Sequence, residues 1–287
     1  MKKMIVIAAI LAGSVLNAAA YFDGGATTTT GPDGYRGNRL YMVVGSGNVA
    51  IEPSLATYTS DLLDHTYRAY GLRGAWEADL YTIGAEAGAT PKVNDYSNKY
   101  AGGDITISLT PGEGGKSRLA GPGSRGATRG GTGMTRLDVG AGLRQTTHEF
   151  TGVGVHDKTD QTQYSLFAGA KILMVNLSAS FTGYNYGTRK VVPLINPVPG
   201  HNFAYSAAPK SSVNTRLDIP GTPIVTPFVA YTGTKYIDST VDSHAYLFGA
   251  YIDLSMIVAN VAYQVFDRGS ARESFISVGA GIKFGGR

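Results

Sequence analysis

Residues able to do chemistry are few and scattered in this 287-residue chain. It has no cysteine, which removes disulfides, thiolate metal sites and a thiol nucleophile. Its five histidines, His65, His148, His156, His201 and His244, fall in or beside segments read below as loops. Imidazoles can gather round zinc or copper, but none of these has a partner at ligand spacing, and polar loop residues are the simpler reading. No serine stands in a nucleophile-elbow setting. Gly115-Lys116-Ser117 has the ending of a phosphate-binding loop. That pattern needs a glycine where Thr110 stands and a helix where Leu119-Ala120-Gly121-Pro122 follows, and proline forbids the helix interior. The basic residues Lys116, Arg118, Arg125 and Arg129 read as a solvated loop, with an acidic partner such as a lipid headgroup as the alternative. No catalytic residue, metal ligand or cofactor is expected.

The remaining reactive groups are charges on one side of a two-residue alternation: Glu52, Arg73, Glu77, Glu86, Arg136, Asp138, Arg144, Lys171, Arg216, Asp218, Asp253 and Lys283. Side chains of a strand point to alternate faces, so apolar residues at every second position mark strands with one greasy face. Twelve such segments can be read: Val49–Thr59, Thr66–Ala78, Leu80–Thr90, Asp104–Thr110, Thr135–Thr147, Thr162–Ile172, Met174–Tyr186, Ser212–Ile219, Thr222–Tyr236, Ser243–Ile252, Ser255–Phe266 and Glu273–Phe284. The charges lie on the other face. Most segments have roughly the 9–11 residues that cross a membrane at a strand's tilt.

The last segment carries a resemblance. Ile276, Val278, Ala280, Ile282 and Phe284 share one face, and Gly285-Gly286-Arg287 ends the chain. An alternating apolar strand finishing in an aromatic residue resembles the closing strand of bacterial outer-membrane β-barrel proteins. The resemblance is to an architecture. It implies an all-β fold, an antiparallel transmembrane β-barrel of about twelve strands, with ten and fourteen as alternatives. It also implies that Phe284 is the signal read by the barrel-assembly machinery, so that Phe284→Ala impairs insertion more than Phe275→Ala.

The rest of the chain suits that reading. Lys2 and Lys3, the apolar run Met4–Leu16 and Ala18-Ala19-Ala20 have the layout of a cleaved export signal. Three segments follow: 1–20 signal peptide, 21–48 a partly mobile N-terminal extension, and 49–287 the barrel. Loss of Lys2 and Lys3 takes the formal charge from +4 to +2, too little to argue for nucleic acid. The 39 glycines and 18 tyrosines fit small inward residues and aromatic belts at the membrane interfaces. Mean hydropathy of −0.04 is explained if half of each strand meets lipid. A membrane helix over Ala245–Phe266 would place Asp253 at its middle, where a charge is costly. A secreted β-sandwich would explain the alternation but not a terminal aromatic.

An even strand number puts both chain ends in the periplasm, with short turns there and longer loops outside. The outside loops are then Ser60–His65, Pro91–Gly103, Glu149–Gln161, Gly187–Lys210, Ile237–Asp242 and Asp267–Arg272. Pro111–Gly133 breaks the rule as a long periplasmic connection. In this register most inward charges crowd the periplasmic rim, and Arg73, Glu86 and Arg144 lie nearer the middle. Opposite signs are expected to pair across strands, narrowing the mouth and giving weak ion selectivity. The expected role is a passive, narrow, porin-like channel for small solutes, with outer-membrane lipids as surroundings. A closed structural or surface-interaction barrel, and a barrel enzyme acting on lipid or peptide, are the alternatives.

Overall fold

A computed structural model describes residues 20–287 apart from 62, 79, 111–134, 197, 199–202, 221–223, 238–240, 270 and 286–287. Residues 1–19 of the expected signal peptide, the basic segment 111–133, and His201 lie outside the described residues. The strands are β1 (Ala20–Thr30), β2 (Arg36–Ser46), β3 (Val49–Ser60), β4 (Leu63–Glu77), β5 (Tyr81–Val93), β6 (Tyr96–Ser108), β7 (Thr135–Gly152), β8 (Val155–Ile172), β9 (Val175–Tyr186), β10 (Leu194–Ile195), β11 (Tyr205–Ser206), β12 (Pro209–Asp218), β13 (Val225–Tyr236), β14 (Ser243–Leu254), β15 (Ile257–Asp267) and β16 (Arg272–Phe284). All but β10 and β11 form one closed antiparallel ring, in which β16 pairs with β1 from Phe22↔Phe284 to Thr30↔Ile276. The barrel therefore has fourteen strands, not twelve.

The two added strands come from the segment expected to be a mobile extension. The outward face of β1 carries Phe22, Gly24, Ala26, Thr28 and Thr30, so it offers one large apolar residue and no legible alternation. In β2 the run Leu40-Tyr41-Met42-Val43-Val44 is apolar on both faces. Adding a strand pair preserves the parity, so both ends of the ring still lie at one end of the barrel, here called the terminus end.

Two expected outside loops are also strands. β5 and β6 continue through 91–103 to a turn at Asn94-Asp95, and β7 and β8 continue through 149–161 to a turn at Val153-Gly154. Asn94 and Asp95 both have positive φ, 47° and 63°, as a two-residue hairpin turn of the primed type requires. These extensions went unread because alternation disappears where both faces meet water. Outward residues of β7 pass from Leu137, Val139, Ala141 and Leu143 to Gln145, Thr147 and Glu149. The connection between β6 and β7 still leaves from the terminus end, as expected.

Below that change of character the outer wall is apolar. Leu72, Ile105, Leu137, Leu166, Leu177, Val213, Val229, Phe248, Val261, Val278 and Ile282 are all exposed, an arrangement that lipid, not water, satisfies. Tyr164, Phe181, Tyr231, Tyr246 and Tyr263 edge this belt toward the loop end. Near the terminus end Trp76 meets Tyr81 edge-on, and Phe22 stacks on Phe284 with ring centroids 4.8 Å apart. Aromatic side chains favour the two interfaces because each has an apolar body and a polar or polarisable edge. Asp253 lies near the end of β14, and the β14–β15 turn is Ser255-Met256, so the helical reading of Ala245–Phe266 is replaced by a hairpin.

Phe275, on the inward face of β16, is fully buried. It is buried against Tyr35 and Phe203, in a cluster taken up below. A closed barrel leaves no sheet edge for detergent to attack. The protein is expected to resist dodecyl sulfate and migrate faster unboiled than boiled on a gel; identical migration would contradict the closed ring.

Candidate functional site

The connection from β9 to β12 turns into the barrel. Its short hairpin pairs Leu194 with Ser206 and Ile195 with Tyr205. Phe203 is buried against Phe275, Phe266 and Tyr35, with ring centroids 4.5, 4.8 and 5.7 Å away. Val198, Ala204, Tyr58 and Ala245 complete this cluster. Main-chain donors are met by wall hydroxyls: Ala204 N–H donates to Tyr35 Oη at 3.0 Å and Leu194 N–H to Tyr96 Oη at 3.0 Å. Lys190 and Val191 N–H both donate to Thr159 Oγ1, at 3.0 and 2.8 Å. These partners belong to the β1–β2 turn, β3, β6, β8, β14, β15 and β16. A segment that touches the wall at so many points of the ring crosses the lumen near the loop end. Nothing in the sequence marks the in-folding beyond the length of the connection, because its apolar residues, Val191-Val192, Leu194-Ile195, Val198 and Phe203-Ala204-Tyr205, are broken up by prolines and polar residues with no regular period.

Beneath this cap the inner wall is polar, and its charges are paired. Arg73 on β4 reaches Asp104 on β6, with Nη1 2.6 Å from Oδ2 and Nη2 3.1 Å from Oδ1. It crosses β5 at Gly84, where a Cβ would overlap the guanidinium, so the absent side chain is what opens the route. Arg144 donates to Glu86 through Nε at 2.8 Å and approaches it through Nη2 at 2.6 Å. Its guanidinium lies 4.6 Å from the centre of the Tyr100 ring, which in turn lies where a Cβ on Gly88 would be. Arg39 faces Glu52 more loosely, at 3.9 Å. Lys283 pairs with Asp253 at the terminus end.

Two pairs depart from the expected geometry. Arg136 binds Asp138 at 2.9 Å and Arg216 binds Asp218 at 2.7 Å. Each joins residues two apart on one strand rather than two strands across the mouth. Arg216 also lies flat over Phe228, 4.0 Å from the ring centre. Both arginine side chains lie against the wall, and these ion pairs are within one strand rather than across the rim as anticipated from the sequence. Glu77 is buried at the end of β4, and Lys171 lies inward near the end of β8 opposite Arg136. Asp23, Arg39 and Asp104 were missed. Asp23 and Arg39 sit on the two unrecognised strands, while Asp104 could have been found by carrying the alternation of Ile105 and Ile107 back one residue.

The histidines lie mostly in strands, not loops. His148 contacts Tyr96 Oη and Gln161 Oε1, each at 2.8 Å, His244 contacts Tyr231 Oη at 2.8 Å, and His156 contacts Thr151 Oγ1 at 3.1 Å. Among the described residues no group of three or more His, Asp or Glu could hold a metal. Above the belt, Arg272 and the Gly269 N–H hold the Asp267 carboxyl below the ordinary carboxylate range, and the Thr147 hydroxyl with Lys158 does the same for Asp160.

The Arg73–Asp104 pair generates a stability test. Removing one member of a buried pair strands the other, at about 3–5 kcal/mol. Asp104→Ala is expected to lower the temperature at which the barrel loses its fast-migrating form. Arg73→Met with Asp104→Leu should recover part of that loss. An unchanged temperature in Asp104→Ala would show the pair to be solvated.

No protein-family model matches the chain, and no curated protein matches it in sequence. Solved structures do share its fold. CdiB from Acinetobacter baumannii superposes with a TM-score of 0.54 at 9% identity, over 93% of this chain and 60% of that one; the chain thus spans less than two thirds of CdiB. The CymD monoaromatic hydrocarbon channel gives 0.50 at 10% identity, over 94% of this chain and 89% of that one. With its closed antiparallel ring, apolar outer belt and paired inner charges, the chain has the fold of the bacterial outer-membrane β-barrel proteins.

Proposed function

We propose that the protein is an outer-membrane channel for small solutes, narrowed at its loop end by the in-folded residues 190–196, 198 and 203–206. One observation carries this reading. Between the two aromatic edges the lumen wall is lined by small and polar side chains, including Ser54, Ser178, Ser180, Thr182, Asn214 and Gly281, many of them half-exposed. A barrel built only as a stable block would fill that space with larger side chains. Among the described residues the clusters of buried apolar side chains are the cap and a patch of Phe228, Leu247 and Ala262 on the neighbouring wall. Phe284, stacked on Phe22 beside the closing seam, serves as the assembly signal, and outer-membrane lipids cover the belt.

The cap supports a second reading, a surface or structural barrel with a shut lumen, since it touches the wall nearly all the way round. Conductance in planar bilayers separates the two. The full chain is expected to show small conductance, and replacing residues 191–206 by a short Gly-Ser linker should raise it about threefold or more. If both proteins are silent, the channel reading fails and the shut barrel stands.

A further inference from the structure

The two ion pairs that face the open part of the lumen are not symmetrical. In Arg39–Glu52 the arginine side chain is 40% exposed and the glutamate 14%. In Arg144–Glu86 the figures are 32% and 13%. In both, the carboxylate is set back in the wall and the guanidinium looks into the lumen. The other inward arginines differ: Arg73, Arg136 and Arg216 are each only 9% exposed at the side chain. At the terminus-end mouth the order is reversed, and the acid is the more exposed partner in Asp253–Lys283.

Arg39 and Arg144 also share a neighbourhood. Both lie within electrostatic reach of the Tyr100 hydroxyl, and Arg144 lies over the Tyr100 ring. That side chain lies over two glycines, since a Cβ on Gly88 would meet its ring and one on Gly71 its hydroxyl. The ring supports the Arg144 guanidinium from one side, and the bonds to Glu86 use Nε and Nη2, not Nη1. A planar, pre-oriented guanidinium suits the two oxygens of a carboxylate, which it can bind with parallel hydrogen bonds. A formally neutral wall can therefore present positive potential, because charges nearer the axis act on a passing ion more strongly than those set behind them, and low-dielectric walls focus that field.

We propose that Arg39 and Arg144 form an anion site below the cap, which makes the pore anion-selective and suits it to small organic carboxylates. This rests on the channel reading and revises the weak selectivity that near-balanced charge suggested.

The test is the reversal potential of the full chain in a tenfold potassium chloride gradient, followed by addition of succinate. Chloride is expected to pass over potassium by about threefold or more, and millimolar succinate to reduce the chloride current. Arg39→Gln with Arg144→Gln removes two positive charges from beside Glu52 and Glu86, so selectivity should turn toward potassium and the succinate effect should vanish. Glu52→Gln with Glu86→Gln should strengthen the chloride preference. A gel-mobility check on each variant shows that it has folded. A conducting parent with no ion preference, or an arginine variant that keeps the parent's preference, overturns the anion site and leaves the channel intact. Silence of both the parent and the loop-shortened protein overturns the channel and the site together.

Discussion

Every feature of this barrel follows from the cost of an unpaired backbone group in lipid. Each exposed N–H or C=O there costs several kcal/mol, so a spanning sheet must close on itself. The seam between β1 and β16 is what meets that demand, with nine residue pairs from Phe22↔Phe284 to Thr30↔Ile276. Without β1 and β2, the edges of β3 and β16 would face the membrane. A glycine- and threonine-rich segment with little outward apolar surface is thus as necessary to the fold as the alternating strands. Its contribution is hydrogen bonds, not grease.

Closure then divides the chemistry of the wall by residue parity. One face must dissolve in hydrocarbon and the other is free to be polar, but charges in a confined lumen still have to be matched. Glycines help do the matching. Gly84 lets Arg73 cross a whole strand to Asp104, and Gly88 makes the bed on which Tyr100 and then Arg144 are laid. In two pairs, Arg39–Glu52 and Arg144–Glu86, the guanidinium is the more exposed partner and the carboxylate is set back, while Arg73, Arg136 and Arg216 stay against the wall. The cap uses a different interaction. It is held by aromatic contacts to β15 and β16 and by hydroxyls that accept its main-chain N–H groups, and Arg39 and Arg144 remain partly exposed.

Much of this was readable from the sequence. Alternation located the twelve strands whose outward residues are large and apolar, and Phe284 pointed to the closing one. It failed where the physics that produces alternation is absent. In β1 the lipid-facing positions are small, and in the outer halves of β5 to β8 both faces are wet. The inward charges Glu52, Arg73, Glu86 and Arg144 followed from parity alone. Their partners did not, because pairing depends on register and on which intervening residue is glycine, as with Arg73, Gly84 and Asp104. The cap was invisible for a similar reason: Phe203 finds its place only by meeting Phe266 and Phe275, which lie more than sixty residues further along the chain.

The central claim is that a polar, water-accessible inner wall is separated by one strand's thickness from a lipid-facing outer wall. The absence of native cysteine makes that claim directly measurable. Ser180→Cys places a thiol on the inner face of β9, and Ala179→Cys places one on its outer face in the middle of the belt. Reaction with a charged, membrane-impermeant thiol reagent in intact proteoliposomes should label the first and spare the second. Equal labelling of both, or labelling of Ala179→Cys alone, would contradict the account.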